Sequence, residues 1–138
     1  MSKQVFGQID FPRYQRWLNR AVDSEITLVV FDKDGNPIWG ADIPQAKELG
    51  LAIAASGNVN GGLHRHDIDT SKTVLYQLLG FTNEGVLGWV SVIVDYFKKN
   101  DAPVKIDQLA ETIEDLAAGI FDEYKHKADL DTITEELG

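Results

Sequence analysis

The side chains best suited to chemistry stand close together, with His64, His66, Asp67 and Asp69 inside the stretch Leu-His-Arg-His-Asp-Ile-Asp at 63–69. In an extended segment His64 and His66 point the same way. Two imidazoles beside carboxylates can begin a metal site or meet the acid group of a ligand. One further histidine, His126, belongs to a distant C-terminal helix. The balance therefore favours a polar strand edge, and no metal site is assigned. Asp32, Asp34 and Asn36 alternate oxygens as the opening of an EF-hand loop does. Glycine, however, falls at the fourth loop position instead of the sixth, and the twelfth is not Glu. The segment 32–36 is expected to be a plain turn.

Other chemistries find less support. The Gly/Asn-rich stretch 57–62, Gly-Asn-Val-Asn-Gly-Gly, has the composition of a phosphate cradle but follows a helix instead of opening one, and no Lys precedes a Ser or Thr there. No serine is set in a strand-to-helix elbow, and no nucleophile, base and orienter follow one another. The absence of cysteine removes disulfides, thiolate zinc sites and thiol nucleophiles together. No catalytic residues are assigned, the chain is not expected to be an enzyme, and no cofactor can be named.

Whatever the histidines do, they must be positioned by the segment that follows them. Residues 73–95 read as two long strands joined at Asn83-Glu84-Gly85, rich in β-branched and aromatic residues on both arms. Gly85 can supply the positive φ of a hairpin turn. Strict alternation along the second arm would put Val86, Gly88, Val90, Val92 and Val94 on one face and Leu87, Trp89, Ser91, Ile93 and Asp95 on the other. Neither face is polar. Such a sheet must be covered on both sides, by helices on one and by helices, loops or a bound small molecule on the other.

The remaining elements supply that cover. Residues 11–22 read as a helix with Pro12 at its first turn, Tyr14, Trp17, Leu18 and Ala21 at helical spacing, and Arg13, Arg16 and Arg20 on another stripe. In an acidic chain this basic stripe is expected to form salt bridges or face a partner. Residues 25–32 form a strand that turns into a shorter one at 37–40, and 44–56 form a helix with Ala46, Leu49, Ile53 and Ala54 on one face. After a connector at 96–104, Ile106, Leu109, Ile113, Leu116 and Ile120 alternate spacings of three and four, the seam of a coiled coil or bundle. Leu130, Ile133 and Leu137 resume it. A helix of about 30 residues spans roughly 45 Å, so its far end is expected to project and seek a partner. The chain stops inside this pattern, which reads as a boundary within a longer protein.

Composition bounds the function. At 138 residues the chain makes one domain. Its net charge of −9 opposes nucleic acid and anionic membrane surfaces. No apolar run is long enough for a membrane span or a signal peptide, so a cytoplasmic setting is expected.

The order helix, strand, turn, strand, helix, Gly-rich loop, strand, long hairpin and terminal helix resembles a GAF domain, a relative of the PAS fold. Glu84-Gly85-Val86-Leu87-Gly88 resembles the turn and strand entry of the last GAF hairpin, Leu28–Trp39 is similar to the first hairpin of GAF and PAS sensors, and the ending at 127–138 looks like the start of the signalling helices of bacterial sensors. The resemblance implies an α+β fold with a central antiparallel sheet flanked by helices, GAF/PAS-like or profilin-like, with a long C-terminal helix. Residues 1–104 would be the sensor body and 105–138 the helix continuing into a signalling coiled coil. The cysteines of methionine-sulfoxide-reducing and bilin-attaching members are missing, as is the residue set of the cyclic-nucleotide-binding ones.

A sensor of this kind would hold a small molecule against the sheet, lined by Trp39, His64, His66, Tyr76, Trp89 and Ser91, and relay its state through the helix of a homodimer to a downstream effector domain. The alternative is a dimerisation or interaction module without a ligand, of PAS-like or roadblock type, the roadblock being a small profilin-like domain.

Overall fold

The computed structural model describes residues 5–22, 26–40, 45–56, 62–68, 72–83, 85–95 and 106–137, with the side chains of the last helix described over 109–129. A helical turn at Val5 and Phe6 leads into helix α1 (Phe11–Val22). Strands β1 (Thr27–Asp32) and β2 (Pro37–Trp39) follow, then helix α2 (Ala46–Ser56), strands β3 (His64–Asp67), β4 (Lys72–Thr82) and β5 (Gly85–Asp95), and helix α3 (Ile106–Leu137). The strands form one antiparallel sheet in the order β2-β1-β5-β4-β3. The α+β architecture expected from the pattern is the one adopted.

The central hairpin is β4 and β5, paired from Lys72↔Asp95 to Thr82↔Gly85, with Gly85 at φ 107°. A side chain is strained at that angle, and glycine is not. Both faces of the sheet are apolar and both are covered. Leu28, Val30, Leu75, Leu79, Val90 and Val92 lie under α1 and α3, while Val29, Phe31, Val74, Tyr76, Leu78 and Trp89 lie on the side of α2.

Strict alternation fails at one place. Leu87 joins the core with Val90 and Val92, and Val86 lies with Trp89, the reverse of the expected assignment. The cause is a register shift: Leu78 pairs with Trp89, then Gly80 with Gly88, then Phe81 with Val86, so the pleat slips between 86 and 89.

Asp10 caps α1, its carboxylate accepting from the Arg13 N–H at 3.3 Å. Phe11 and Leu18 turn into the core, but Trp17, expected in the apolar stripe, is 41% exposed, and Ala21 is exposed too. Polar Gln15 takes the inner side instead. Its Nε2 donates to the Ile26 carbonyl at 2.7 Å and its Oε1 accepts from the Leu28 N–H at 3.0 Å. Among the described residues β2 pairs with β1 around Val30 and Phe31, and further back along β1 this amide makes the bonds a neighbouring strand would make.

Helix α3 lies across β4 and β5 beside α1. Leu109, Ile113, Leu116 and Ile120 are at most 1% exposed and belong to the same core as Leu28 and Val90. The seam thus faces the sheet over this span, and the helix forms part of the cover on this side. Fully burying four such side chains contributes roughly 6–12 kcal/mol before chain entropy is counted. Tyr14 donates to the Gly119 carbonyl at 3.0 Å, and Arg13 pairs with Glu123 at 2.8 Å. Burial holds the Tyr14 phenol above its ordinary range, against an opposing hydrogen bond from Arg13. The side chains of Leu130, Ile133 and Leu137, the connector 96–104 and the loop 57–61 lie outside the described residues.

Candidate functional site

Five of the six residues expected to line a ligand site share the α2 side of the sheet. The pairings His64↔Tyr76, Tyr76↔Ser91 and His66↔Val74 put them there, because directly opposed residues of antiparallel strands point the same way. Trp39 does not join them. It pairs with Val30, packs on the α1 side and stacks on Phe11 with ring centroids 5.9 Å apart. A register irregularity between Val30 and Phe31 decides which way β2 turns its side chains.

Of the five, three are interior. Trp89 is 3% exposed, Tyr76 4% and Ser91 0%. The Ser91 hydroxyl donates to the Val29 carbonyl at 2.8 Å, so its polar tip is occupied by the sheet itself. His64 sets its ring against Tyr76 at 5.4 Å. The central part of this face is therefore filled by side chains.

Of the six, His66 lines a cleft. A cleft of about 240 Å³ runs between α2 and the β3 edge, lined by Gln45, Glu48, Leu49 and Ala52 on one bank and His66 and Ile68 on the other. Leu49, Ala52 and Ile68 give apolar surface, while Gln45, Glu48 and His66 give an amide, a carboxylate and an imidazole. Gln45 is the one non-glycine with positive φ among the described residues, at 75°. Its carbonyl accepts from the Leu49 N–H at 2.9 Å and so starts α2. The α2 bank was missed because the apolar positions of that helix mark its buried face, and the stripe Gln45, Glu48, Ala52 lies beside it.

The described acid beside the histidines on β3, Asp67, is otherwise engaged. Asp67 accepts from Arg65 at 2.9 Å and from the Thr73 hydroxyl at 2.8 Å. The Arg65 hydrogen bond, then that from Thr73, hold its carboxyl below the usual range. Asp69 lies outside the described residues. The Asp32 carboxylate, 7% exposed, accepts from the N–H groups of Asp34 and Asn36, each at 2.9 Å, and from the Asn36 side chain at 3.2 Å. It ties its own turn together, as the spacing 32–36 predicts. Among the described residues no group of three histidine or acidic side chains is placed to hold a metal ion, and no helix is long and apolar enough to cross a membrane.

Fold and site together define a small α+β protein with a five-stranded antiparallel sheet, helices on both faces and a mixed-polarity cleft between α2 and β3. No protein-family model, no curated protein and no solved structure matches the chain.

Proposed function

We propose that the chain is a non-enzymatic regulatory interaction module of GAF/PAS-like or profilin-like build, acting in the cytoplasm by gripping its C-terminal helix and presenting that helix to proteins it works with. The observation that carries this reading is the pairing of a filled sheet with an anchored helix. Trp89, Tyr76 and Ser91 fill the centre of the α2 side, while Leu109, Ile113, Leu116 and Ile120 fix α3 to the other. A change in how β4 and β5 pack is then felt directly by α3, which shares their core.

A second reading, a small-molecule sensor, is favoured by the cleft at His66. The two separate in a thermal-shift screen of cellular metabolites. A ligand present at a hundred times its Kd stabilises by about 2.7 kcal/mol, which moves the midpoint of a domain this size by roughly 5–10 °C. The ligand-free reading expects no such shift. A shift abolished by His66→Ala, with the variant's own melting unchanged, would establish sensing in its place.

A further inference from the structure

Helices α1 and α3 lie side by side on one face of the sheet and run antiparallel, since Arg13 meets Glu123 and Tyr14, further along α1, meets Gly119, earlier in α3. Their outer sides form one surface, basic on α1 and mainly acidic on α3. On α1 it exposes Arg16, Trp17 and Arg20; on α3 it exposes Glu111, Asp115 and Asp122, with Lys125 past them on the same stripe, along the side opposite the buried Leu109–Ile120 stripe. Neither the two arginines nor the three acids have an ion pair within the chain among the described residues.

We infer that this two-helix surface is the contact between two copies of the chain, related by a two-fold axis running parallel to the helices. This dimer rests on the interaction-module reading and gives that module its partner. Closed dimers use one self-complementary patch, and two face-to-face arrangements of a helix pair satisfy that condition. An axis across the helices sets α1 on α1 and α3 on α3, which opposes Arg to Arg and acid to acid. An axis along them sets α1 of each copy over α3 of the other, so that Arg16 and Arg20 meet Asp115 and Asp122 of the second copy twice over. Charge selects the second arrangement, because juxtaposed like charges reject a geometry that opposite charges accept. Trp17, 41% exposed between the two arginines, supplies the aromatic anchor that such contacts are built around. A polyanionic partner would meet the arginines but be repelled by α3, and the net charge of −9 adds to that repulsion.

The test is the mass of the full 138-residue chain in solution, by light scattering and sedimentation equilibrium. The wild type is expected to be a dimer that loosens as salt rises. Arg16→Glu with Arg20→Glu is expected to give a monomer, as is Asp115→Arg with Asp122→Arg, each melting cooperatively because all four positions are exposed. Mixed in equal amounts, the two variants are expected to recover dimer mass with a Kd roughly tenfold or more below either alone. A wild type that stays monomeric up to about 0.1 mM, a charge-reversed variant that stays dimeric, or a mixture that fails to pair overturns the inference. A monomer leaves the interaction-module reading standing with a different partner, whereas a ligand-induced thermal shift defeats that reading and leaves the dimer.

Discussion

Gln15 shows how much a single polar side chain can decide. With its donor on the Ile26 carbonyl and its acceptor on the Leu28 N–H, it pairs β1 further back from the stretch that meets β2. Replacing it with Leu keeps the volume and strands both backbone groups, which costs about 1–3 kcal/mol. Urea unfolding of Gln15→Leu should show that loss, and an unchanged midpoint would mean that water pairs the edge equally well. Nothing in the local pattern marks this role, because Gln15 sits between Tyr14 and Arg16 as an ordinary helical polar residue. His66 was legible for the opposite reason, since a polar strand edge beside an apolar hairpin has few places to go. Trp39 was not, because its face depends on an irregular pairing between β1 and β2 that β-branched runs do not announce.

Periodicity at the level of elements reports which side is apolar and is silent about what covers it. The alternating spacing from Leu109 to Ile120 was clear in the sequence, and its partner over this span is the sheet. The two-residue period of β5 held from Trp89 to Val94 and failed at Gly88, where the two long strands slip past each other. Helix α2 followed its pattern, with Ala46, Leu49 and Ile53 buried, but its closeness to the sheet is set by Gly50. A Cβ there would lie 2.6 Å from the Phe31 ring and would also strike the Gly35 carbonyl. Gly50→Ala must lift α2 off β1, and overpacking of this kind costs about 1–3 kcal/mol. It should also widen the cleft beside His66. Chemical denaturation reads the first effect and the shift of the His66 ring resonances reads the second. A fully stable variant would mean that α2 is free to slide.

The strand order β2-β1-β5-β4-β3 belongs to the molecule as a whole, and no local signal encodes it; only its two hairpins, β1–β2 and β4–β5, were legible directly. That order places β4 and β5 under α3, and it sets how far along α3 the body can reach. Buried side chains run from Leu109 to Tyr124, Ala128 packs against the same core, and the helix continues to Leu137. Backbone protection should follow that boundary. Amides from Ile113 to Tyr124 open only with global unfolding, whereas those past Ala128 can fray while the core stays intact. Hydrogen exchange in the full chain is therefore expected to be roughly a hundredfold or more faster at 132–137 than at 113–124. Equal protection along the whole helix would show that something beyond the sheet covers its last turns. Charge reversal at Asp115 and Asp122 then tells whether that cover is the second copy, because losing the dimer would release the last turns and leave the protection of 113–124 in place.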